Sequence, residues 1–322
     1  MEKEAAIGEK VDSQISQTPA ENATRVESLW FPDHGLVLQA GNRLFRLPTG
    51  ILAARSSVFN DMLLMPQPET QPMLDGCPIV VLQDLPADAE YFLTAIFDSS
   101  FFEPPPYPTT FPIISAVLKL STKYDVEYLR HRALLHLASA SPRSLSEYVF
   151  LPSARTFPLH YLEFPYLLLA HDFGLSWALP AAMYDACRLE IADLVDGIPV
   201  DGGRVKLSPS LQRKCLAGRE TLLAQSRDAF RFLRAPQDDC TDAACLESRL
   251  RLLDVLMEND LMDSAKTQNF WEGHRPAFCA ACGPAVDAAS FAAIHEIWEG
   301  LPVLFELGTW EQLDAARTAD LA

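Results

Sequence analysis

An α+β fold is predicted by three features: two short β-prone runs around a Gly-Asn turn, a third continuous apolar run, and apolar residues at helical spacing across most of the remaining chain. The β-prone runs are LVLQ (Leu36 to Gln39) and LFRL (Leu44 to Leu47). Gly41 and Asn42 between them tolerate the positive φ of a tight hairpin turn. After Pro48, the residues Ile51, Leu52, Val58, Phe59, Met62 and Leu63 recur at helical spacing, with Ser56 or Ser57 placed to cap the second of two short helices. Pro66, Pro68 and Pro72 stop that helix. CPIVVLQ (Cys77 to Gln83) reads as a third strand. In the next segment, DLPADAEYFLTAIF, Pro86 marks a first helical turn and Phe92, Leu93, Ile96 and Phe97 line one face. FFEPPPYPTTFP (Phe101 to Pro112) is expected to be an extended loop of polyproline character, a candidate contact surface presenting Phe101, Phe102 and Tyr107. It leads into two further helices, IISAVLKLSTKY and VEYLRHRALLHLAS.

Three parts are therefore expected: a disordered tail over 1–26, an α+β domain over 27–142, and an all-α domain over 143–322. The tail has almost no large apolar residues and cannot offset its ordering entropy. In the last part, Phe164 to Met183 is apolar enough to raise the question of a membrane span. His171, Asp172 and Pro180 argue instead for a buried helix pair, with His171 and Asp172 as a buried, hydrogen-bonded couple. DGIPVDGGRVK reads as a Gly-rich connector. Ser208 followed by Pro209 opens a long helix, and Thr309 with Gln312 forms a capping box for the last one.

The 322 residues are about half hydrophobic (49%) and one-fifth charged (21%), with a formal charge of -17. That excess of carboxylates opposes a phosphate backbone, and runs such as RHR at Arg130 and RLR at Arg249 are too short to make a basic patch. Direct nucleic-acid binding is not expected, and protein partners are. No apolar signal segment and no Arg-rich transit peptide is present, so the expected location is the cytoplasm, the nucleus or both, away from membranes.

Of seven cysteines, Cys77, Cys187 and Cys215 fall within apolar patterns and read as buried thiols. The other four form two short pairs, Cys240 with Cys245 in DDCTDAAC and Cys279 with Cys282 in CAAC. Their convergence would supply four thiolates to one structural zinc, with His274 as a substitute ligand; packing and redox chemistry are the alternatives. No nucleophile elbow, phosphate loop, dinucleotide fingerprint or HExxH motif occurs. His295 and Glu299 read as an exposed helical pair, and the tryptophans Trp30, Trp271, Trp298 and Trp310 as core or interface anchors. No catalytic residue and no bound organic cofactor is expected.

Over about Leu29 to Ala140, the segments WFPDHGLVLQAGNRLFRL, ILAARSSVFNDML, DGCPIVVLQDLPADAEYFLTAIFDSSFFEPPP and VLKLSTKYDVEYLRHRAL together resemble the BTB/POZ domain, specifically the BTB-domain proteins common in fungi. FPYLLLAHDFGLSWALPAAMYDACR and WEGLPVLFELGTWEQL resemble the helical extension found in those chains. The resemblance implies a non-catalytic interaction module that usually forms homodimers and recruits a second protein. The alternative roles it implies are substrate adaptor of a cullin-type ubiquitin ligase and transcription co-regulator. Leu36, Phe45, Leu52, Phe59 and Met62 are the expected core residues near the dimer face. Pro48 and Thr49 stand where many animal members carry His followed by Lys or Arg, and Gly35 stands where an acidic residue is common, so the charged dimer pocket is expected to be absent. MPQPETQP lacks the hydrophobic-x-Glu motif of adaptor members, which leaves cullin binding without its motif.

Overall fold

A five-stranded sheet organises the first part of the chain, its strands in the order β1 (Thr24–Trp30), β3 (Arg43–Leu47), β2 (Leu36–Ala40), β5 (Cys77–Leu82) and β4 (Met73–Leu74). The computed structural model describes residues 23–32, 35–66, 70–150, 157, 162–200, 203–234, 240, 242–258 and 278–322. The chain divides into two compact units, Met1–Phe102 with Ala116–Leu129, and Glu103–Ser115 with Arg130–Ala322.

In the first unit, β2 (Leu36–Ala40) and β3 (Arg43–Leu47) form the expected hairpin, with Leu36 opposite Leu47 and Ala40 opposite Arg43. Gly41 takes φ +53° at its turn. β5 (Cys77–Leu82) runs parallel to β2 on its other side, and β2, paired on both edges, is buried throughout. Two further strands add to the expected three. β1 (Thr24–Trp30) pairs parallel with β3, so the expected tail does not reach residue 26. This edge strand buries only Leu29 and carries Arg25, which pairs with Asp75 at 2.9 Å and lies over the Trp30 ring. The two-residue β4 (Met73–Leu74) folds back on β5 through Asp75 and Gly76, both at positive φ. At the other end of the hairpin, a Cβ at Gly35 would lie 2.2 Å from the Leu47 carbonyl oxygen, so packing against β3 excludes any side chain there.

The helices of this unit are α1 (Thr49–Arg55), α2 (Ser57–Leu64) and α3 (Pro86–Phe97), together with the parts of α4 (Phe111–Lys123) and α5 (Glu127–Ser139) that fall within it. Leu36, Phe45, Leu52 and Phe59 are buried, and Met62 is half-buried. Ser56, between α1 and α2, and Ser57, the first residue of α2, tie this corner to the end of α4. Ser56 accepts the Phe59 N–H at 3.1 Å as the cap of α2 and donates to the Tyr124 carbonyl at 2.5 Å, while Ser57 donates to Asp125. Asp84 completes the tie by accepting from Lys123 Nζ at 2.6 Å and from the Tyr124 hydroxyl. Burial, and then the Asp84 carboxylate, hold that hydroxyl well above the usual phenol range. Ser56→Ala is expected to cost about 2–3 kcal/mol in urea denaturation, because it removes a cap and leaves a buried carbonyl unpaired.

Helices dominate the second unit: α6 (Leu145–Phe150), α7 (Glu163–Asp172), α8 (Leu179–Cys187), α9 (Ile191–Asp196), α10 (Pro209–Ala229), α11 (Ala243–Glu258), α12 (Cys282–Leu304) and α13 (Trp310–Asp320). The unit is not wholly α-helical, because the expected connector contains the hairpin β6 (Ile198–Val200) and β7 (Gly203–Val205). The apolar run expected to form a buried helix pair does so as α7 and α8. Among the described residues no helix is long and apolar enough to cross a membrane. Ser208 caps α10, and the Thr309–Gln312 capping box opens α13. Trp298 of α12 is buried against Tyr148 and stacked on Trp310, with centroids 5.9 Å apart. Arg317 of α13 donates to the Ala138 and Ser141 carbonyls at 2.8 and 3.0 Å, satisfying acceptors at the end of α5.

The proline segment departs from expectation. Rather than running extended, it turns, with the Tyr107 N–H donating to the Pro104 carbonyl at 3.3 Å, and Pro112 already lies inside α4. Phe102 is buried and Phe101 half-buried on Tyr91, which leaves Tyr107 as the exposed ring of the three. Within the second unit, buried His136 fixes the loop through Nε2, 2.8 Å from the Glu103 carbonyl. Burial lowers the His136 pKa, against the opposing effect of that bond. The unfolded chain therefore takes up a proton first as pH falls. The contribution of neutral His136 is complete above about pH 6.5 and shrinks below it. Denaturation at pH 7.5 and 5.5 is expected to show a stability gap between wild type and His136→Asn that narrows at the lower pH; an unchanged gap would contradict this assignment.

Candidate metal centre

The four cysteines of the two short pairs come together at the starts of α11 and α12. Asp242 opens α11: its side chain accepts the Ala244 N–H at 2.9 Å and its carbonyl accepts the Cys245 N–H at 3.1 Å, which sets Cys245 in the first turn. Cys240 lies two residues ahead of that cap, and its thiol donates to the Asp242 carbonyl at 3.4 Å. Cys282 is the first residue of α12 and Cys279 immediately precedes the turn into it. Two backbone N–H groups point at sulfur: Cys279 N–H donates to Cys245 Sγ at 3.1 Å, and Cys282 N–H to Cys279 Sγ at 3.4 Å.

All four Sγ atoms lie within 4.8 Å of one another. Sulfurs placed tetrahedrally about 2.3 Å from a zinc ion are separated by about 3.8 Å, so the set needs only a small contraction to close on one ion. A binuclear iron–sulfur cluster divides its thiolates between two irons and needs a wider spread. Cys245 and Cys282 are buried, whereas Cys240 and Cys279 are half-exposed, giving the cluster a closed floor and an open rim.

The thiols differ in acidity. The Cys282 N–H, and then the Cys245 thiol, bring Cys279 down to about 7. Desolvation, followed by the Cys240 and Cys279 side chains, takes Cys282 up to about 12. At Cys245 the Cys279 N–H works downward, but burial and the neighbouring thiols carry the value up. The starts of two helices contribute a positive field at the sulfurs, which favours thiolate and opposes the burial that raises Cys245 and Cys282.

Behind the cysteines lies a small apolar cluster of Phe230, Leu233, Leu252, Leu253 and Val286, flanked by Phe232, Phe278 and Ile294. Three of its segments adjoin a cysteine pair: Phe278 precedes Cys279, Val286 is one turn beyond Cys282, and Leu252 and Leu253 lie about two turns beyond Cys245. Arg249, buried on α11, joins that helix to the 3-10 turn Phe230–Arg234 by donating to the Phe232 carbonyl at 3.2 Å. His274 and Trp271 lie outside the described residues. Cys77, Cys187 and Cys215 are buried free thiols, as expected.

The histidine–carboxylate pairs divide. His295 and Glu299 form the expected exposed pair on α12, at 3.7 Å. His171 and Asp172 are exposed rather than buried and stand 3.5 Å apart, because they occupy the solvent-facing last turn of α7 while its apolar residues face inward. No family model, no curated protein and no solved structure matches the chain.

Proposed function

We propose that this chain is a non-catalytic interaction protein that self-associates through a BTB-like first unit and recruits another protein, and that its second unit is held by a structural zinc. The observation carrying the first part is the distribution of apolar residues over the α1–α2 pair. Leu52 and Phe59 pack inward, yet Ile51, Val58, Leu64 and Met65 keep 43%, 41%, 76% and 62% of their surface in solvent. Apolar side chains gathered on one helix pair, beyond what the interior uses, suit contact with a second copy of the same surface. The strand hairpin, parallel third strand and paired short helices support the same reading. Sedimentation of the chain over a range of concentrations is expected to show a dimer. Ile51→Glu with Leu64→Glu is expected to give a monomer of unchanged helical content. A wild-type monomer at every concentration would overturn the reading.

The zinc reading rests on the Sγ cluster. Cys240, Cys245, Cys279 and Cys282 would hold the ion as thiolates, and four protein ligands leave no position for water or substrate, which makes the role structural. The ion would supply a cross-link between two helix starts whose shared apolar cluster is small. A staple of this kind is worth most where a local core is modest.

A further inference from the structure

We infer that Cys240 and Cys279 are an oxidation-sensitive pair, and that a hydroperoxide converts the metal centre to a Cys240–Cys279 disulfide with loss of the ion. The inference rests on the zinc reading proposed above and concerns the regulation of that site. It is carried by the unequal placement of the four sulfurs. Cys245 and Cys282 are buried and lie within α11 and α12, where the helical backbone fixes them. Cys240 and Cys279 are half-exposed and lie outside the helices, which leaves their sulfurs open to an oxidant. Their sulfurs are already within 4.8 Å, against about 2.05 Å for a disulfide.

The chemistry balances with the peroxide as the only co-reactant. The Cys279 thiolate attacks the terminal oxygen of the hydroperoxide and the O–O bond breaks. This leaves a sulfenic acid on Cys279 and releases an alkoxide, or hydroxide if the oxidant is hydrogen peroxide. The Cys240 thiolate then attacks the sulfenic sulfur, the S–S bond forms, and hydroxide departs. Two thiolates have lost two electrons and the peroxide has gained them. The two remaining thiolates, on Cys245 and Cys282, no longer make a closed site and the ion is released. A dithiol reductant restores the four thiolates, and added zinc refills the site.

The test uses the full chain, reduced and loaded with zinc under anaerobic conditions, then titrated with hydrogen peroxide. Free zinc is followed with a chromophoric chelator, and disulfides are mapped by peptide mass spectrometry without reduction. The expected result is release of zinc in step with a Cys240–Cys279 disulfide, reversed by dithiothreitol and zinc. Zinc retained at peroxide doses that oxidise free thiols, or a disulfide joining Cys279 to Cys282 instead, overturns the assignment while leaving the metal reading intact. A reduced chain that takes up no zinc overturns the metal reading and this inference with it.

Discussion

Cys282→Ser is expected to abolish zinc retention and to unfold the cysteine end of the second unit. Cys282 is fully buried at the first position of α12, so the substitution removes one of the four proposed ligands on the closed side of the site. Structural zinc in small domains carries about 10–16 kcal/mol of apparent binding free energy at neutral pH, and the loss of even part of that exceeds what the five-residue apolar cluster behind the site can hold. Circular dichroism is expected to show an early melting phase absent from wild type, and metal analysis to find no bound ion. A chelator strong enough to strip the wild-type chain is expected to reproduce that phase, which separates loss of metal from any defect of the serine itself. Cys77→Ser, on β5 in the other unit, is expected to retain the metal. A Cys282→Ser chain that melts as wild type does would contradict the structural role.

Phe59→Ala is expected to cost about 3–5 kcal/mol, the usual range for truncating a buried phenylalanine. The Phe59 ring is buried and stacks on Tyr124 with centroids 4.7 Å apart, and Tyr124 in turn stacks on Phe92 at 5.6 Å. Removing it opens a cavity beneath α2 and loosens the residue that Ser56 and Asp84 both hold. Val58→Ala, one position earlier and largely exposed, is expected to change stability by less than about 0.5 kcal/mol. The contrast separates the inward face of α2 from the outward face assigned to self-association, and urea denaturation of the two variants measures it. Equal effects at the two positions would mean that the helix is oriented differently.

The parts of this fold legible in the sequence are those where one physical signal acts alone. The β2–β3 hairpin, α1, α2, β5, α3 and both N-caps of the later helices are readable from apolar period and capping chemistry within a few residues. β1 was not legible, because an edge strand that buries only Leu29 shows neither alternation nor an apolar run. β4 and the β6–β7 hairpin were legible in principle. Asp75-Gly76 separates two short apolar runs and Asp201-Gly202 stands between IPV and GRV, and an Asp-Gly pair between short runs of this kind is a hairpin signal. The proline segment misled because composition favours extension, whereas the buried Phe102 and the His136 bond to Glu103 bend and anchor it. The reach of His136 across more than thirty residues is a tertiary fact that no local pattern carries. His171 and Asp172 misled for a related reason: an apolar neighbourhood in sequence does not specify which face of the last helical turn is covered.

The cysteine cluster was legible as composition and not as geometry. Two short cysteine pairs suggested a shared ion, but only the fold brings the start of α11 against the start of α12, and only the fold separates the buried floor of Cys245 and Cys282 from the open rim of Cys240 and Cys279. Gly35 is a comparable case, since the sequence shows only a glycine and the packing of Leu47 shows why no side chain fits there.

Native mass spectrometry of the full chain, purified under reducing conditions without added chelator, counts the metal ions per chain and so decides whether the four thiols hold zinc. One zinc ion per chain is expected, lost on Cys282→Ser. A chain that carries no metal as purified and takes none up when zinc is supplied would contradict the zinc reading, and would leave the four converging thiols as a reduced cysteine cluster.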